Sequence, residues 1–315
     1  MLGTAPVRRS HCEQSQPEQL PAALTASGTR VLRLRQDCAP VHDTGPARLA
    51  WADVASEAAE TLIADLSATP DEPPPGVIHL GYDDGAAILL DLGSGISQPP
   101  PASFRWAGLR EIGADLPPEE ATWFIIALAL SSFHRDHAHC PGCGQPTRPI
   151  LLGWARRCPE EQREIFPRTD PAIIAAVTHT DAEGTERILL GRSTRWPAGR
   201  FSAFAGFVEA GESLEAAVAR EVEEEAGVVV EEVCYRGSQP WPFPRSLMLG
   251  FRAVVTRPET ARADGTEIAQ VRWFTRQELC DAVHSAEVTL PGKVSIAHHL
   301  LREWYGAPLP ELTKG

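Results

Sequence analysis

Residues 206–228 read GFVEAGESLEAAVAREVEEEAGV and carry the densest run of potential chemistry in the chain. Glu221, Glu224 and Glu225 stand at i, i+3 and i+4, a spacing that projects three carboxylates close together on one side of a helix. Such groups repel one another when no cation is present and suit a hard divalent ion, Mg²⁺ or Mn²⁺, that prefers oxygen ligands. The helix has both of its ends marked, with Ser213 as N-cap and Gly227 just past the last turn. At about 100° per residue, Leu214, Val218 and Val222 define the inward stripe, and Glu221 and Glu225 fall along it. A carboxylate on a buried stripe needs something to pair with it. Glu223, about half a turn away, reads as an ordinary solvated acid.

Two other segments offer chemistry. Cys140-x2-Cys143 and Cys158 are gathered in one stretch of a chain with seven cysteines, which is metal-site usage more than disulfide usage. Ser238 to Met248 reads SQPWPFPRSLM. Prolines at 240, 242 and 244 fix their own φ angles and extend their predecessors, so Trp241 and Phe243 are held on a stiff ribbon where they can stack on a flat base.

The spacing Gly206-x5-Glu212-x7-Arg220-Glu221-Val222-x-Glu224-Glu225-x-Gly227-Val228 resembles a complete Nudix box, and SQPWPFPRSLM resembles the motif of the NADH pyrophosphatase (NudC-type) branch. The resemblance runs from about Trp106 to the C-terminus. It implies metal-dependent attack of water on a pyrophosphate, cleaving NADH or NAD⁺ to nicotinamide mononucleotide and AMP. The same chemistry on a larger substrate is removal of NAD caps from RNA, and a third reading is a non-catalytic Nudix module that senses a nucleotide. By resemblance, Glu221, Glu225, Glu267 and the Ala205 carbonyl hold metal, Arg220 orients the carboxylates together with Glu212, and Glu224 is either a further ligand or the base. Gln239, Pro240, Trp241, Pro242, Phe243, Pro244, Arg245 and Ser246 line the nucleotide pocket. Phe166 and Phe207 sandwich a substrate ring, and Ser295 supplies a further contact. Similar enzymes carry four cysteines binding structural zinc. Here Glu161 stands where the fourth belongs, so His137, His139 or Glu161 completes the site, or zinc is absent. Enzymes that resemble this one are homodimers, the commonest symmetric assembly.

The elements that must position these residues follow from periodicity. Short apolar runs at 172–178, 187–192, 228–233, 247–255 and 268–274 predict strands, and Ser213–Ala226, a helix through Val283 opened by Thr275 and Glu278, and Lys293–Trp304 predict helices. The fold class is α+β, a mixed sheet between helices, preceded by a small β-containing domain with a hairpin over residues 77–92. Prolines 117 and 118 with Glu119 and Glu120 predict the opening of a helix through Trp123, Phe124, Ile125 and Leu128. At 315 residues the chain exceeds one compact domain, and the expected organisation is 1–132, a zinc-ribbon-like connector 133–167 and a Nudix domain 168–315. A net charge of −13 argues against a general nucleic-acid surface, leaving a local basic patch from Arg156, Arg157 and Arg163 for a capped RNA. Residues 1–14 lack a signal-peptide core, and the longest apolar run, Trp123–Leu130, is too short to span a bilayer, which predicts a cytoplasmic protein without a membrane partner.

Overall fold

The continuous buried run along residues 172–178 explains the architecture around the acidic helix. In the computed structural model, which describes residues 3, 5–9, 19–68, 76–98 and 103–311, contacts divide the chain into two units. One comprises residues 169–241 and 246–315; the other comprises the chain up to Arg168 together with Pro242–Arg245.

The second of these begins with β1 (Arg8–Arg9), α1 (Gln19–Thr25), β2 (Arg30–Arg33), β3 (Cys38–His42) and α2 (Ser56–Ala68). Then come β4 (Val77–Asp83), β5 (Ala86–Asp91), β6 (Phe104–Gly108), α3 (Leu109–Ile112) and α4 (Pro118–Asp136). Strands β1, β4, β5 and β2 form one sheet in that order, and β3 pairs with β6. The hairpin over residues 77–92 is present as β4 and β5 with Asp84 and Gly85 at positive φ in its turn. The proline-rich stretches beside it, Ser67–Gly76 and Ser97–Ala102, lie mostly outside the described residues. Helix α4 starts with Pro118 in its first turn and acidic Glu119 and Glu120, and buries Trp123, Phe124 and Leu128. Glu120 accepts a hydrogen bond from the Leu49 N–H at 2.7 Å and an ion pair from Arg48 at 3.1 Å, which satisfies an acid in a buried position. Three short strands, β7 (Arg148–Ile150), β8 (Ala155–Arg157) and β9 (Glu164–Ile165), make a small antiparallel sheet next to the cysteines.

The first unit is built on β10 (Asp170–Thr180), β11 (Glu186–Ser193), β12 (Phe204–Phe207), β13 (Val230–Trp241), β14 (Ser246–Val255) and β15 (Ile268–Phe274). The sheet order is β13-β14-β10-β11-β15, with β12 also pairing with β10. Strand β10 runs parallel to β14 and antiparallel to β11 and β12, so the sheet is mixed. Both faces of β10 are apolar because both are covered. Ile173, Ala175 and Val177 pack with Ala217, Val218, Val222 and Ala226 of α5 (Leu214–Ala226). Ile174 and Ala176 pack on the other face with Leu279, Ala282 and Val283 of α6 (Arg276–His284) and with Ala297, Leu300 and Leu301 of α7 (Ile296–Tyr305). The expected sheet between helices is therefore present, and Thr275 and Glu278 form the expected capping box. The predicted strand 228–233 instead starts at Val230 and runs on to Trp241, because ladder pairing with β14 carries it through the proline-containing motif. As an outer strand of the sheet it tolerates Pro240.

Phe204 anchors β12 under the sheet. It is buried, and its ring occupies the space beside Gly191, where a Cβ would lie 2.8 Å from the ring edge. Gly191→Ala is therefore expected to overpack this layer and lower stability by about 1–3 kcal/mol, measured by chemical denaturation.

Candidate active site

A loop, a helix and a strand end bring the acidic residues together in the first unit. Strand β12 pairs with β10 through Ile173↔Gly206 and Ile174↔Ala205, which fixes the backbone at Ala205 and Gly206 against the sheet. Helix α5 starts at Ser213, whose hydroxyl accepts the Ala216 N–H at 3.2 Å, and ends at Gly227 in the left-handed conformation with φ 68°. Its buried stripe contains Ala217, Val218, Val222, Glu225 and Ala226. Glu221 lies against Gly206, so a Cβ there would overlap its carboxylate. That contact is the local reason for glycine at the start of the loop.

Arg220 ties the loop to the helix. Its Nε and Nη2 donate to the two Glu212 oxygens at 2.8 and 3.0 Å, Nη1 donates to Glu221 at 2.8 Å and to Glu224 at 3.4 Å, and Nη2 also donates to the Phe207 carbonyl at 2.9 Å. The bidentate fork matches the carboxylate geometry of Glu212. Glu212 in turn accepts the Glu209 N–H at 3.0 Å and closes the loop. Hydrogen bonds from Arg220 and from that backbone N–H hold Glu212 below the usual carboxylate range, and its own bonds to Glu212 and Glu221 raise Arg220 further above its ordinary value. Arg220 is thus a fixed cation held by three carboxylates and a backbone carbonyl. Glu223 is exposed, as its helix position predicts.

Glu225 is the unusual member. It is 8 % exposed, and its Oε2 has no hydrogen-bond partner. Burial first, then the negative charges of Glu221, Glu267 and Asp264, push its pKa up to about 8, while a hydrogen bond from the Ala205 backbone opposes the rise. A buried, unpartnered carboxylate oxygen facing other acids is costly unless a cation or a proton occupies it, and an oxygen-only donor set of this charge fits a hard divalent metal. Glu267 is exposed just before β15. Asp264, a residue whose role the sequence did not disclose, accepts the N–H groups of Thr266, Glu267 and Ile268 at 3.1, 2.9 and 2.7 Å and so sets that turn. Those bonds, led by the Glu267 N–H, hold Asp264 below its ordinary value. The Asx-turn pattern Asp-Gly-Thr was the available signal.

The remaining predicted positions distribute as follows. Phe207 is 57 % exposed, next to the loop that Arg220 holds. Gln239 is fully buried, and its amide nitrogen donates to the Val294 carbonyl at 2.7 Å, tying β13 to the segment before α7. Ser295 caps α7 by accepting the Ala297 N–H at 3.1 Å. Pro240 and Trp241 end β13, with Trp241 paired in register to the buried Ser246. Pro242, Phe243, Pro244 and Arg245 form the intervening turn and, like Phe166, group with the second unit. There the Arg110 guanidinium lies 4.3 Å over the Phe243 ring, a cation–π contact absent from the sequence reading. Phe166 is 39 % exposed. In that unit the thiols of Cys140, Cys143 and Cys158 lie within 4.8 Å of one another, a convergence that fits zinc.

With this geometry in place, comparison with known proteins is decisive about ancestry. Residues 169–292 match the model of the NUDIX domain, and residues 135–166 match that of the NADH pyrophosphatase zinc ribbon domain. The proteins named NAD-capped RNA hydrolase NudC of Mycobacterium bovis and Mycobacterium tuberculosis are each 38 % identical over 245 residues, covering 74 % of this chain and 77 % of theirs. The human protein named NAD-capped RNA hydrolase NUDT12 is 39 % identical over 197 residues, 59 % of this chain and 42 % of that one. The chain belongs to the Nudix hydrolase family. Within that family, the zinc ribbon joined to the Nudix domain and these relatives place it in the NudC-type branch. Among the described residues no helix is long and apolar enough to cross a membrane.

In metal-free protein the folded state keeps the Glu225 proton up to about pH 8, whereas the unfolded chain loses it near the ordinary 4.5. Stability should therefore fall as pH rises between those values, and Glu225→Gln should flatten the decline. Mg²⁺ or Mn²⁺ binding at pH 7 should release about one proton from the wild type and fewer from Glu225→Gln, measured calorimetrically in buffers of different ionisation enthalpy.

Proposed function

We propose that this chain is a metal-dependent pyrophosphohydrolase of nicotinamide dinucleotides, acting on NADH and NAD⁺ and, by the same chemistry, on the NAD cap of RNA. The observation that carries the reading is the buried, unpartnered Glu225 oxygen, set among acids beside a loop that Arg220 holds in place. The names of the NudC and NUDT12 relatives favour the capped-RNA substrate specifically.

Glu221, Glu225 and Glu267, with the Ala205 carbonyl, would hold Mg²⁺ or Mn²⁺. When bound, the ion supplies neutralisation of the diphosphate charge and lowers the pKa of the attacking water. Water oxygen bonds to one phosphorus as the bridging P–O bond breaks, leaving nicotinamide mononucleotide and AMP. Glu224, whose exposed carboxylate makes a 3.4 Å contact with Arg220, would take the proton of the attacking water. Arg220 and Glu212 contribute by positioning: their pair keeps Glu221 and the Phe207 carbonyl where the loop needs them. Phe207 and Trp241 offer aromatic surface for a base or the nicotinamide ring, worth roughly 1–3 kcal/mol per stacked base in nucleic-acid binders. The intact acidic set argues against a purely sensing module, because binding a nucleotide without cleaving it needs no unpartnered buried carboxylate. On this reading the chain is organised as 1–132, a connector 133–167 and a Nudix domain 168–315, the last boundary supported by the contact division after Arg168.

The test is hydrolysis of NADH, NAD⁺, ADP-ribose and NAD-capped RNA by purified full-length protein with Mg²⁺, with Mn²⁺ and with excess chelator. Release of nicotinamide mononucleotide from NADH and of 5′-monophosphate RNA from capped RNA is expected only with metal. Undiminished turnover in chelator, or cleavage of ADP-ribose alone, would contradict the proposal.

A further inference from the structure

The connector offers three thiolates where a closed zinc site needs four donors. Its sequence leaves His137, His139 and Glu161 as candidates for the fourth, and the fold separates them. His137 ends α4, and its Nδ1 lies 3.1 Å from the Phe133 carbonyl of the preceding turn. His139 is exposed and held by a backbone bridge to Pro146. Among the described residues, the ligand atoms that lie within 4.8 Å of one another are the three thiols alone, so the fourth donor is marked by its contact with one of them, and neither imidazole makes a hydrogen bond to a thiol there. Glu161 follows Cys158 by three residues, and its Oε2 is 3.5 Å from Cys140 Sγ.

The local backbone is arranged around that contact. The Gly142 N–H donates to Cys140 Sγ at 3.4 Å, and the Glu161 N–H donates to Cys158 Sγ at 3.4 Å, so both turns aim amides at sulfur that carries negative charge when it binds metal. The side chain of Glu161 lies over Gly142, where a Cβ would meet Oε2 at 2.6 Å and Oε1 at 2.7 Å. A residue with any side chain at 142 would push the carboxylate away. Arg163 donates from Nε to the same Oε2 at 3.0 Å and orients it from outside. The Cys143 and Cys158 sulfurs are 3.5 Å apart, near the edge length of a tetrahedral thiolate site.

From the Glu161 carboxylate cradled by Gly142 and touching the Cys140 thiol, we infer that this connector binds zinc through three cysteines and Glu161, with Arg163 as the positioning residue. This goes beyond the catalytic reading and is independent of it. A carboxylate in place of a thiolate exchanges a soft donor for a hard one, so the ion is held less tightly than by four thiolates.

The experiment uses full-length protein and reads metal, not turnover. Zinc per chain is measured by mass spectrometry after gel filtration against rising chelator, and the cobalt-substituted protein is followed by its sulfur-to-metal charge-transfer absorbance. Wild type should retain about one zinc per chain, with the cobalt band of three thiolates. Glu161→Ala should lose zinc at a chelator concentration at least about tenfold lower, and Gly142→Ala, which keeps all four donors, should shift the same way. Glu161→Cys should hold zinc more tightly than wild type and raise the charge-transfer intensity by about one third, which also answers the objection that Glu161→Ala merely unfolds the connector. His139→Ala and His137→Ala should match wild type. Retention by Glu161→Ala equal to wild type, loss in either histidine variant instead, an unchanged cobalt band in Glu161→Cys, or a wild type that takes up no zinc or cobalt would each overturn the assignment.

Discussion

Burying the Glu225 carboxylate beside Glu221 is the constraint on which the Nudix unit depends. Helix α5 needs its Val218 and Val222 stripe against β10 to be stable, since a helix of this length is marginal without packing. That same stripe carries Glu225 inward, where one oxygen finds no partner within the chain. The fold accepts the cost by surrounding the site with fixed donors. The Ala205 backbone reaches Glu225, Arg220 reaches Glu212 and Glu221, and Asp264 organises the turn that ends at Glu267. What remains unbalanced is negative charge, and in a chain of net charge −13 a polyanionic substrate would be repelled unless a cation bridges the two.

Charge and shape are set by different residues. Arg220 is saturated by four acceptors and is therefore a clamp more than an attractor. Gly206 leaves the space that Glu221 fills, so backbone and carboxylate are in direct contact without an intervening side chain. Gln239 and Ser295 belong to a second layer of order. One ties β13 to the segment before α7, and the other starts that helix. Each side chain makes one such bond, with the buried Gln239 Oε1 left unpartnered, whereas Phe207 is exposed.

Much of this was legible in the sequence because the helix writes its own signals. Ser213 and Gly227 mark its ends, and the periodicity separates Glu225 from Glu223. The strands at 170–180, 186–193 and 268–274 followed from apolar runs that tertiary packing then used on both faces. The limit of β13 did not, because ladder pairing with β14 overrode the punctuation that the prolines suggest. The N-terminal strands β2, β3 and β6 and helices α1 and α2 were also unread, their apolar runs being short and their pairings distant in sequence. Asp264 left a local turn signal that went unread, whereas Arg110 and the Gly142 cradle required the fold, since each acts on a partner that spacing alone does not identify.

Under the proposed function, Glu225 would serve chemistry because of where the helix places it, buried on the inward stripe, not because the helix is acidic. Glu225→Gln and Glu223→Gln make the same chemical change on the inward and solvated sides, with little change in helix propensity. The measurement is kcat for NADH at saturating Mg²⁺, with melting temperatures taken in chelator to confirm folding. Glu225→Gln should lose roughly a hundredfold or more in kcat, while Glu223→Gln stays within about a few-fold of wild type. Equal losses in the two variants, or full activity in Glu225→Gln, would contradict the account.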